Sequence, residues 1–93
     1  MKVNVMYGGE LASMAGVSRE TVELQEGSTL SDLLAYIERA HGRRLLEALG
    51  NRLLLLVNGR SVKPSEVSSL RLSEGDFVSL LPPVLGGLRG RTV

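Results

Sequence analysis

From Lys2 to Tyr7 the residues alternate, with Val3, Val5 and Tyr7 on one side and Lys2, Asn4 and Met6 on the other. That is the period of a strand covered on one face. Gly8-Gly9 closes it, the small-residue stretch from Leu11 to Gly16 reads as a loop, and alternation resumes over Glu20–Leu24, with Val22 and Leu24 inward. Thr29 followed by Asp32 has the form of a helix cap whose carboxylate reaches back to the chain. Leu30, Leu33, Leu34 and Ile37 then repeat at helical spacing, and Gly42 supplies the stop. Arg43 to Leu49 is long enough for one or two more helical turns, with Leu45, Leu46 and Leu49 toward the sheet. Leu53–Val57 is a short continuous apolar run before the turn signal Asn58-Gly59, which favours a third strand. Ser61–Lys63 reads as a weak edge strand stopped by Pro64, and Phe77–Leu81 as the last strand, ended by Pro82-Pro83.

Two strands, a helix with one apolar stripe, then more strands predict an α+β fold: a mixed sheet with its helices on one face. The other face stays open, with Lys2, Asn4 and Met6 on the first strand and Phe77 and Leu81 on the last. Phe77 and Leu81 are apolar for a solvated surface, which reads either as scattered surface hydrophobes or as a docking face.

With 93 residues, 43% of them apolar, the chain makes one domain with one modest core. There is no cysteine, which excludes thiol nucleophiles, thiolate metal sites and disulfides. The single histidine, His41, stands at the predicted helix end, where it suits the helix dipole. No serine lies in a nucleophile elbow and the acidic residues form no metal-binding loop, so neither catalysis nor a metal site is expected. Eleven basic against ten acidic residues give a net charge of +1, a poor match for nucleic acid. The start of the chain lacks a signal-peptide pattern and no apolar run approaches membrane-spanning length, so a cytoplasmic, membrane-free protein is expected.

Eleven glycines among 93 residues give about one Gly-Gly pair by chance. The pair Gly8-Gly9 therefore carries no message by itself. Gly86-Gly87 differs in context: it follows a strand and the stiff segment Pro82-Pro83-Val84-Leu85. Glycines there make a thin, pliable backbone that fits a narrow channel where a side chain would collide.

The stretch from Leu72 to Gly87, with its Gly75-Asp76, Val78, Pro82-Pro83-Val84 and Gly86-Gly87, resembles the ubiquitin-like β-grasp family. The closest likeness is to its sulfur-carrier and small-modifier branch, which includes the molybdopterin-synthase small subunit, the thiamine sulfur carrier, the ubiquitin-related modifier and archaeal modifiers. Thr29–Leu34 is similar to that family's helix start and Val57-Asn58-Gly59 to its central hairpin. The resemblance implies a β-grasp sheet of four to five strands with one main helix. The domain would run over 1–85, with the diglycine at 86–87 and a removable extension at 88–93.

It further implies a substrate of other enzymes rather than a catalyst. An adenylating enzyme would use ATP and magnesium to activate the Gly87 carboxylate, with Gly86 threading its channel. Phe77, Leu81, Pro82, Pro83, Val84 and Leu85 would dock the partner. Because Leu88 to Val93 follow Gly87, the resemblance to extended family members implies a precursor cut between Gly87 and Leu88, by a JAMM-type zinc metalloprotease. The same residues would fit a cloning scar or a member that has lost activation. The first functional expectation is a protein modifier joined by conjugation enzymes to lysines of target proteins. Lys2 and Lys63, with the N-terminal amine, would then be the self-conjugation acceptors, since the other basic side chains are arginines. The second is a sulfur carrier with a Gly87 thiocarboxylate, serving molybdopterin, thiamine or transfer RNA. The third is a β-grasp interaction domain whose C-terminus is never activated.

Overall fold

A computed structural model describes residues 1–47 and 53–82. Strands β1 (Lys2–Tyr7), β2 (Arg19–Glu23), β3 (Leu54–Val57), β4 (Arg60–Ser61) and β5 (Phe77–Leu81) form one sheet in the order β2-β1-β5-β3-β4. The central pair β1 and β5 is parallel, and the other three pairings are antiparallel. Helix α2 (Leu30–His41) lies with α1 (Glu10–Ala15) and α3 (Arg44–Glu47) on the side where the core forms.

The alternation in β1 does what the sequence predicts, because Val3, Val5 and Tyr7 are buried and the residues between them are not. Val22, Leu55, Val78 and Leu80 complete the inner sheet face. Against it pack Leu30, Leu33 and Ile37 of α2, Leu11 of α1 and Leu45 of α3. Closing that face removes apolar surface from water and is the main stabilising term of so small a domain. The start of α2 is a complete capping box: Asp32 N donates to Thr29 Oγ1 at 3.3 Å, and Thr29 N donates to Asp32 Oδ2 at 2.9 Å.

Three local expectations change. The segment read as a loop from Leu11 to Gly16 holds helix α1, which buries Leu11 completely and ends at Gly16 in the left-handed conformation. One apolar anchor in six residues is too little for a periodic signal. The edge strand is Arg60–Ser61 rather than Ser61–Lys63, and Pro64–Glu66 form a turn of 3₁₀-helix with Pro64 at its start. His41 is more than a partner of the helix dipole: its Nε2 lies 2.7 Å from Glu20 Oε2 on β2. Leu49 and the end of the third helical segment lie outside the described residues, as does the side chain of Leu46.

Asp76, of the Gly75-Asp76 motif, fastens two turns to the start of β5. Its Oδ2 accepts from Ser73 N at 2.7 Å and its Oδ1 from Asn58 Nδ2 at 3.0 Å, while Asn58 Oδ1 accepts from Phe77 N. Asn58 and Gly59 have φ of 52° and 85°, so the β3–β4 hairpin uses the left-handed turn that Asn-Gly favours. Asp76→Ala is expected to lower stability by about 1–3 kcal/mol in urea titration, the range for losing charge-assisted hydrogen bonds. An unchanged urea midpoint would mean that water replaces the carboxylate at no cost.

Candidate functional site

The register of β5 with its neighbours puts Phe77, Ser79 and Leu81 on the face away from the helices. Asn4 stands opposite Phe77, Met6 and Leu56 stand on either side of Ser79, and Leu54 stands opposite Leu81. This open face therefore carries five apolar side chains, Met6, Leu54, Leu56, Phe77 and Leu81, with Leu54 37% exposed and the other four half-buried. Ser79, between Met6 and Leu56, is only 9% exposed. The Arg19 guanidinium lies 5.9 Å above the centre of the Phe77 ring, within range of a cation–π contact. Among the described residues no helix covers this apolar set, the kind of patch that is common where proteins meet one another.

Sequence reasoning singles out Phe77 and Leu81 and places Met6 outward, but misses Leu54 and Leu56. A continuous apolar run reads as a strand buried on both faces, whereas β3 is covered on one.

Beyond Leu81 the chain leaves the sheet at Pro82, which is half-buried. Gly8 N donates to Leu80 O at 2.9 Å, so β1 holds β5 up to the point of departure. Pro83, Val84, Leu85, Gly86, Gly87 and Leu88, with the rest of 88–93, lie outside the described residues. Of the expected docking residues the structure thus places Phe77 and Leu81 at the two ends of β5, the central strand of the open face, with Pro82 following Leu81. Both expected acceptor lysines, Lys2 and Lys63, are exposed, and the Met1 amine donates to Leu24 O at 2.7 Å and to Glu23.

Two other polar features lie away from the open face. A groove of about 440 Å³ beside β4 is lined by Arg60, Glu66, Arg71 and Asp76. Glu66 is already taken up by Lys63 N and Asp76 by the turns described above. On the helix side, Tyr7 Oη donates to Glu20 Oε2, the same oxygen that His41 Nε2 meets, and the Tyr7 and His41 rings meet edge to face. Among the described residues no three His, Asp or Glu side chains come together as metal ligands. None of their helices is long and apolar enough to cross a membrane.

Burial, and then the Glu20 carboxylate beside it, push the Tyr7 phenol well above its ordinary value. An acid whose folded pKa is raised keeps its proton while the unfolded chain loses it. Its stabilising contribution is therefore full below the unfolded value near pH 10 and is lost as pH rises above it. Stability is expected to fall above about pH 10, and Tyr7→Phe to flatten that fall. Urea midpoints between pH 8 and 11 measure it, and equal slopes for the two proteins would contradict it.

The sheet order and the single long helix packed on one face define a β-grasp protein. Residues 5–87 match the ThiS family, and the chain belongs to that family. It is 33% identical to a molybdopterin synthase sulfur carrier subunit of Chlamydomonas reinhardtii over 87 residues, covering 94% of this chain and 100% of that protein. Among solved structures it is similar to a Pyrococcus furiosus protein described as molybdopterin converting factor, subunit 1. That match has 32% identity and a TM-score of 0.75 and covers 90% of this chain and 99% of the other. The fold is shared with small archaeal modifier protein 1 of Haloferax volcanii, at 24% identity and a TM-score of 0.73, over 89% of this chain and 98% of that one. The curated relative it matches is by its name a sulfur carrier subunit, a carrier rather than a catalyst.

Proposed function

We propose that this protein is a sulfur carrier whose working group is the carboxyl of Gly87. The observation that carries the reading is the extent of the family match, which ends on Gly87, together with the identity to a sulfur carrier subunit along that protein's whole length. That ranks sulfur carriage above the modifier function expected first from the diglycine and the residues beyond it.

In the proposed reaction a partner adenylating enzyme docks on the open face around Phe77 and Leu81 and receives the tail. A carboxylate oxygen of Gly87 attacks the α-phosphate of ATP, pyrophosphate leaves with magnesium, and an acyl-adenylate forms. Sulfide then attacks the acyl carbon and expels AMP, leaving a thiocarboxylate. ATP and magnesium act in the partner's site. In the 93-residue chain the Gly87 carbonyl is bound to Leu88, so a protease, of the JAMM zinc type in this reading, must first cut that bond.

The lack of cysteine makes the test clean. After incubation with ATP, magnesium, sulfide and a ThiS-type adenylating enzyme, a chain ending at Gly87 is expected to take up one equivalent of iodoacetamide. The unloaded chain has no thiol to react. Failure to alkylate in the presence of a proven adenylating enzyme would contradict sulfur carriage.

The modifier function is kept as a second reading because its fold is shared with a small archaeal modifier protein. If the protein also conjugates to itself through lysines, Lys2→Arg with Lys63→Arg is expected to abolish those adducts. Lysine-linked adducts that survive both changes would contradict the assignment of acceptors.

A further inference from the structure

The first glycine pair sits at the root of the tail. A Cβ built on Gly8 would come within 2.4 Å of Leu81 Cδ2, and one on Gly9 within 3.1 Å of Pro82 Cγ. Real Cβ atoms essentially never come as close as the first of these contacts, and the second is tight enough that Pro82 would have to give by a few tenths of an ångström, so Leu81 and Pro82 occupy the room that two missing methyl groups leave. Gly9 also has φ of 54° and ψ of −135°, a backbone conformation that only glycine adopts readily. Gly8 does not: its φ lies outside the left-handed region, so alanine there is allowed by the backbone and meets an obstacle only in Leu81. The hydrogen bond from Gly8 N to Leu80 O fixes the distance between the two segments.

We propose that Gly8 and Gly9 form a notch that seats Leu81 and Pro82, and so act as positioning residues for the reactive tail. The notch keeps the Leu81 side chain laid over the end of β1, in the plane of the docking face, and sets the direction in which the chain leaves β5. A side chain at position 8 lifts Leu81 off that face and presents a partner with a displaced anchor. The inference rests on the sulfur-carrier reading for its consequence in activation, but the seating itself is a property of this chain alone.

The experiment compares four chains ending at Gly87: the natural sequence, Gly8→Ala, Leu81→Ala and the double variant. Two readouts are taken on each, the ¹³C-methyl spectrum of the leucines and the steady-state kinetics of ATP-dependent adenylation. Gly8→Ala is expected to shift the Leu81 methyl signals while the signals of the core leucines Leu33 and Leu55 stay in place. It is also expected to lower kcat/KM about tenfold, mostly through KM for the carrier. In the Leu81→Ala background the same glycine change is expected to cost less than about twofold, because the obstacle is gone. An equal loss in both backgrounds would overturn the proposal, since the effect would then not pass through Leu81. Unmoved Leu81 methyl signals in Gly8→Ala would overturn it as well. If the natural sequence itself is never adenylated, the functional reading fails, and the methyl spectra still decide the notch.

Discussion

A chain trimmed to end at Gly87 is expected to be adenylated at least about 100-fold faster than the same chain running on to Val93, with any residual rate of the longer chain traced to trimmed molecules. The reason is chemical before it is structural. An amide carbonyl has no free carboxylate oxygen with which to attack a phosphate, and in the longer chain Gly87 is tied to Leu88. The terminal carboxylate of Val93 is no substitute, because six extended residues carry it about 20 Å further on. It also bears a branched side chain, which a channel narrow enough to admit only glycine would exclude. Release of pyrophosphate from the two chains, at equal concentration of adenylating enzyme, measures the ratio. Equal rates would mean that activation does not occur at Gly87, or that the enzyme acts on a terminus with a side chain.

Placing a charge on the central strand of the open face is the second large change. Phe77→Asp is expected to raise KM for the adenylating enzyme by about 30-fold or more, the scale for losing a central aromatic anchor. The fold should survive, because Phe77 points away from the core and is already half-exposed. Arg19, which now lies over the ring, becomes the neighbour of the new carboxylate and lowers the cost of putting it there. The same substitution read as a stability change would look different: a lower thermal midpoint with KM unaltered in the folded fraction. A KM within twofold of the natural protein, at an unchanged midpoint, would remove the open face from the account of docking.

Much of this arrangement is written locally in the chain. The alternation of β1, the capping box of Thr29 and Asp32 and the stripe of Leu30, Leu33 and Ile37 are local signals. Each appears in the structure where the sequence puts it. What the sequence hides is of two kinds. Short elements held by one contact leave no periodic trace, as with α1 and its single buried Leu11. Relations between distant segments leave none either. Gly8-Gly9 looks like a chance pair until Leu81 and Pro82, from the far end of the chain, are found lying against it. Leu54 and Leu56, in an unbroken apolar run, give no sign of their face until the sheet order places them beside Leu81 and Ser79 on the uncovered side. His41 finds its partner Glu20 on another element for the same reason. Of the tail itself, sequence and family resemblance supply the reading of Pro83 to Leu88, which lie outside the described residues.

Whether Gly87 carries sulfur as a thiocarboxylate is decided by intact mass followed by fragmentation of the C-terminal peptide. The chain ending at Gly87 is incubated with ATP, magnesium, sulfide and a ThiS-type adenylating enzyme, then analysed whole and in pieces. A sulfur carrier gains the mass of sulfur replacing one oxygen, located on Gly87 and absent when ATP is left out. A chain that forms the adenylate and then returns to its original mass, or that appears only as lysine adducts, would contradict sulfur carriage.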